Sequence, residues 1–124
     1  MSGHIFVIYL LSLPPLLLAL TCHEFFHGWI ALRMGDPTAK HAGRLTFNPI
    51  RHIDPIGFIA LILFKFGWAK PVPINPANFH NYRQGMLLTS LAGPFSNLLL
   101  AVPFGILLRI FPNPASCLRL IAAL

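Results

Sequence analysis

His23-Glu24-Phe25-Phe26-His27 is the stretch of this sequence whose residue types and spacing can do chemistry. If it is helical, positions 23 and 27 share one face, so both imidazoles can reach one ion. Zinc accepts two such nitrogens at about 2.0–2.1 Å. Glu24 is not needed as a ligand. It is placed to take a proton from a water whose acidity the metal has raised. The product of that chemistry is a nucleophile for a peptide carbonyl. The flanking sequence is apolar, where an ionisable group is costly and a functional role is the default reading.

Two histidines leave a zinc site short, since catalytic zinc usually has three protein ligands. The chain has three acids in all, Glu24, Asp36 and Asp54. Asp36 and Asp54 each precede a proline, which suits an Asx turn. Asp54 is kept as a possible third ligand, although the turn already explains it. His4, His41, His52 and His80 read as loop or terminal residues with solvent or turn hydrogen bonds. Cys22 and Cys117 read as small buried thiols.

The rest of the chain must hold these residues in an apolar setting. Of 124 residues, 56% are hydrophobic and 10% charged, with a mean hydropathy of +0.70. That excludes a disordered tail and a disulfide scaffold and points to a membrane protein. The net charge of +6 comes from a shortage of acids, not from a cluster of bases. A nucleic-acid partner is therefore not expected.

The apolar pattern predicts a membrane helix over about 5–34, kinked or split at Pro14-Pro15. A signal peptide is a poor fit, for want of a basic n-region and a small-residue cleavage site. Residues 35–55 read as a polar, basic loop, with Arg44 to Phe47 as a possible short strand. The apolar core of 56–68 is too short to cross a bilayer and reads as a re-entrant segment. Prolines 71, 73 and 76 predict an extended loop. Residues 84–108 are the clearest spanning segment, with small residues and prolines inside. After Pro112 and Pro114, Ser116–Leu124 begins a further apolar run. The fold class expected is an all-α integral membrane protein with about three transmembrane or re-entrant segments joined by Pro-rich loops. Seven of the nine Lys and Arg fall within 33–83, so that region is expected to face the cytoplasm.

Beyond the HExxH stretch, the sequence carries GDPTA (35–39), GRLTFNP (43–49), RHIDPIG (51–57), FGWAKPVPINP (66–76) and AGPFSN (92–97). In this order the motifs resemble the site-2 protease family of intramembrane zinc metalloproteases, in its short bacterial and archaeal branch. The resemblance covers most of residues 20–101. It implies zinc binding by His23 and His27, with Glu24 as catalytic base. It implies a substrate-placing role for the Gly-Pro-x-x-Asn motif, here Gly93, Pro94 and Asn97. It implies a multi-pass protein of a bacterial or archaeal cell membrane and a transmembrane protein or peptide as substrate. The family's third ligand is an aspartate in a Leu-Asp-Gly motif on a later helix, which this sequence does not contain. The expectation is thus a single peptidase domain over 1–124 that is incomplete at its C-terminal end. A substrate helix would unwind and pair with residues 43–48 or the 70–76 loop, the latter being poor in donors and alternatively a re-entrant gate.

Other classes stay open on the residues alone. A catalytically incomplete form that binds membrane segments or a partner subunit, including a second copy, fits the missing ligand. A membrane di-iron oxygenase fits His23-x-x-x-His27 but lacks paired histidines. A transporter fragment leaves the HExxH spacing unexplained.

Overall fold

The computed structural model describes residues 3–111, which are mostly helical. Helix α1 runs Gly3–Arg33, α2 Thr38–His41, α3 Pro55–Phe64 and α4 Tyr82–Ile110. Two 3-10 turns, Pro49–His52 and Pro76–Asn78, lie between them. The run expected at Ser116–Leu124, and Cys117 within it, lie outside the described residues.

The two long helices form because their residues are apolar over more than a bilayer's width. Leu10–Arg33 has 24 residues and α4 has 29, each long and apolar enough to cross a membrane. At 1.5 Å per residue they reach about 36 and 43 Å, against about 30 Å of hydrocarbon. Pro14 and Pro15 sit inside α1 without dividing it, so the expected split is not found. Helix α3 has ten residues. That is about 15 Å, half the hydrocarbon thickness, so it does not add a third crossing.

The Asx-Pro pairs start the short elements. Asn48, Asp54 and Asn75 each accept the amide two residues on, with proline at the first helical position. Asn81 caps α4 by accepting from the Gln84 amide. The strand expected at 44–47 does not form. The described residues contain one isolated antiparallel bridge, Ile53 to Ala69. The Arg44 amide donates to the Ala39 carbonyl at 3.0 Å, and Phe47 stacks on Phe25 of α1 with ring centroids 4.1 Å apart.

The interior is inverted relative to a water-soluble domain. Buried hydrophobic side chains are Ala31, Ala39, Val72 and Phe79, whereas Thr21, Asp36, Arg44, His52, Thr89 and Ser96 are buried polar ones. Large apolar side chains face outward along α1, α3 and α4, among them Leu11, Phe64, Leu98 and Leu108. His52 was expected in a turn with ordinary exposure. It makes the turn bond, Nε2 to the Thr46 carbonyl at 2.8 Å, but is fully buried.

Asp36 ties the end of α1 to the Pro-rich loop. It accepts from the Asn75 amide at 2.7 Å, from Asn78 Nδ2 at 2.9 Å, and from the Thr38 amide and hydroxyl. Burial pushes its carboxyl up, and these hydrogen bonds more than offset that, so it is held below the ordinary value. A depressed pKa gives stability that is present above the unfolded value, near 3.9, and is lost as pH falls through the folded one. The melting temperature in detergent should therefore not change through Asp36 between pH 7 and 5. It should fall below about pH 4, and Asp36→Asn should flatten that acid limb. An acid limb of unchanged steepness in the variant would remove Asp36 from this role.

Candidate metal and peptidase site

The candidate site lies where α1 and α4 touch. Successive turns of α1 put His23 and His27 on one face, and their Nε2 atoms stand 3.0 Å apart. Two ligands at zinc distance with a tetrahedral angle would be about 3.3 Å apart, so the pair needs little movement to share an ion. Facing nitrogens at this distance share either a proton or a cation.

Helix α4 supplies what orients the rings. His27 Nδ1 lies 2.6 Å from the Thr89 carbonyl, an acceptor, so Nδ1 carries the proton and Nε2 keeps its lone pair. His23 Nδ1 lies 3.2 Å from the Asn97 side-chain nitrogen, and Asn97 Oδ1 is buried without a partner. Turning the amide over would let Oδ1 accept from His23 Nδ1–H, leaving His23 Nε2 free as well. Gly93 lies between these partners on the same helix. A Cβ there would be 2.6 Å from His23 Nε2 and closer still to His27 Nε2. Only glycine lets α4 approach the pair this closely.

Glu24 lines a cavity of about 310 Å³ that it shares with His27, Val72, Met86, Thr89 and Ser90 among others. The Val72 amide donates to Glu24 Oε2 at 3.1 Å. Prolines 71 and 73 carry no N–H, so Val72 is the single amide donor of that tripeptide, and it is engaged by Glu24. This contact has no local signal in the sequence. It joins residues 48 positions apart, and the only hint was the Pro-x-Pro pattern that isolates one donor.

Of the other expected site residues, Gly93 and Asn97 meet the histidine pair. Pro94 is on the outer side of α4, in an apolar groove of about 590 Å³ shared with Trp29 and Ile30 of α1. Asp54 caps α3, accepting from the Ile56 amide at 2.9 Å and from Trp68 Nε1 at 3.0 Å. Its carboxyl is held below the ordinary value, chiefly by Trp68. That is the turn role expected for it, with both oxygens engaged away from the histidines. Among the described residues, no third His, Cys, Asp or Glu joins His23 and His27 in a metal-binding group.

Two curated proteins resemble the chain. Over 101 residues, 77% of this chain, it is 48% identical to "Putative zinc metalloprotease YwhC" of Bacillus subtilis. Over 113 residues, 87% of this chain, it is 35% identical to "Putative zinc metalloprotease Rip2" of Mycolicibacterium smegmatis. These alignments cover 46% and 43% of the two relatives, so the chain spans less than half of their length. No family model matches the chain. No solved structure matches it either.

Proposed function

We propose that this chain carries the HExxH half of an intramembrane zinc metalloendopeptidase of the site-2 protease kind, cleaving transmembrane segments. The observation that carries the reading is the convergence of the His23 and His27 Nε2 atoms beside a cavity that holds Glu24. The names of two relatives, at 48% and 35% identity, support zinc peptidase chemistry. The inverted interior supports the membrane setting. A water-exposed protein would not leave its spanning-length helices apolar on the outside and keep arginine, aspartate and histidine within.

The donor set fits zinc. Two imidazole nitrogens converge; the Thr89 carbonyl fixes the tautomer of His27, and Asn97 would do the same for His23 with its amide turned over. His23 and His27 would hold the ion, with a third ligand from outside the described residues. When bound, zinc supplies Lewis acidity that brings the pKa of a water towards about 7. Glu24 would take a proton from the attacking water as its oxygen bonds to the scissile carbonyl carbon, and would return that proton to the amine nitrogen as the C–N bond breaks. Its Oε2 is fixed by Val72, so Oε1 is the oxygen left to face the reacting atoms. The substrate must be unwound, because the peptide bonds of a helix are shielded. Arg44 and Glu24 already engage the polar groups of residues 70–72, so strand pairing there would have to use other positions. We place the 33–83 region on the cytoplasmic side, from its bases.

The test is metal analysis of the complete protein in detergent, beside His27→Ala. About one zinc per chain, lost in the variant, is expected. Zinc retained by His27→Ala would exclude this site. Absence of zinc from the parent protein would favour the alternative, a catalytically incomplete partner-binding form. Asn97→Ala should weaken zinc binding on the order of 10- to 100-fold, read by chelator competition, because it removes the side-chain partner of His23 Nδ1. Unchanged affinity would leave Asn97 without that role.

A further inference from the structure

Two buried charges outside the histidine site grip the same short stretch of backbone. Arg44, 5% exposed, donates to the Pro71 carbonyl at 3.3 Å and to the Lys70 carbonyl. Asp36, fully buried, accepts from the Asn75 amide and the Asn78 side chain. The first grip lies one and two residues before Val72, the second three and six residues after it. Between them the chain is neither helix nor strand, and Val72 is buried with its amide on Glu24. A buried charge is costly unless its hydrogen bonds repay the lost hydration. Here two such groups, one of each sign, are both applied to the loop that delivers one N–H.

We propose that Arg44 and Asp36 are positioning residues for Glu24, acting through the Val72 amide. They hold the 70–75 segment at the register in which Val72 N–H takes Glu24 Oε2 and leaves Oε1 for the reacting water. This assignment rests on the peptidase reading above for its effect on rate, but the contact itself does not. Arg44 has the planar fork needed for two adjacent carbonyls, which lysine lacks. Neither residue touches the histidines, so the metal should be indifferent to both.

The experiment is a double-mutant cycle on the complete protein in detergent, with zinc content measured for every variant. Val72→Pro removes that amide hydrogen, and the residue before Pro73 is already biased away from helix. Arg44→Met and Val72→Pro should each lower kcat on the order of 10- to 100-fold, with zinc and KM unchanged. The double variant should be no worse than the poorer single one, and Arg44→Lys should recover part of the loss. Losses that multiply would mean that Arg44 acts independently of Val72, and would overturn the proposal. A second measurement covers variants that fail to fold or to cleave. Hydrogen exchange at the Val72 amide should speed up about tenfold or more in Arg44→Met and Asp36→Asn. Unchanged exchange in both would also overturn it. A parent protein that binds zinc but shows no Glu24-dependent cleavage would sink the peptidase reading, while exchange would still decide the contact.

Discussion

Glu24→Gln should abolish cleavage of a single-pass membrane substrate by the complete protein while leaving its zinc in place. The expected loss in kcat is on the order of 10²- to 10⁴-fold, the range over which a positioned base accelerates proton transfer. Glutamine has the same length and can still accept from the Val72 amide, so the 70–75 loop keeps its anchor on α1. It cannot accept a proton from water at neutral pH. The roles are separable, because the two histidine nitrogens face each other while the Glu24 carboxylate is held by the Val72 amide. The control is Glu24→Asp, which keeps the charge but draws the carboxylate back by one methylene. It should retain zinc and show intermediate activity. Cleavage by Glu24→Gln at the parent rate would sink the general-base role, and loss of zinc in that variant would mean that Glu24 is a ligand.

The parts of this arrangement that were legible in the sequence are those set by local chemistry. The HExxH spacing places two histidines on one helical face through helix periodicity alone, and α1 does carry them that way. The long apolar stretch of 84–108 could hardly avoid being a helix, and α4 covers it. Asx-Pro pairs are local caps, so the turns at Asn48, Asp54 and Asn75 followed from neighbours two residues away. What was not legible depends on residues distant in the chain. Arg44-Leu45-Thr46-Phe47 has strand-like composition, but its surroundings offer Arg44 two carbonyls and Phe47 an aromatic ring, and no partner strand. His52 sits in a 3-10 turn that packs on α1, and its carbonyl accepts from the Lys70 amide, contacts that its own neighbours do not predict. The prolines marked an extended loop, but the Val72 amide as donor to Glu24 depends on a residue 48 positions away.

The same distinction bears on Gly93. From sequence it reads as a small residue that permits helix contact, or as part of a substrate-placing motif. In the fold it stands against both metal-facing nitrogens, so its value is the space it leaves. Gly93→Ala would put a methyl carbon 2.6 Å from His23 Nε2 and nearer to His27 Nε2, far inside contact distance. The obstructing atoms are the imidazoles themselves, so whatever yields displaces the groups that would hold the ion. Either α4 must part from α1, which takes Thr89 and Asn97 away from the rings they orient, or the rings must swing apart. Both routes destroy the convergence that would hold an ion. Zinc affinity should therefore drop by at least the roughly 100-fold seen when orienting partners are lost, and activity should vanish with it. Gly105→Ala is the matched control, on the same helix and with nothing within 4 Å of the added carbon. It should bind zinc as the parent does. If Gly93→Ala and Gly105→Ala held zinc equally, the ion would not be bound between His23 and His27. The effect should also depend on size: Gly93→Ser should be no better than Gly93→Ala, since a hydroxyl adds bulk where the first carbon already collides.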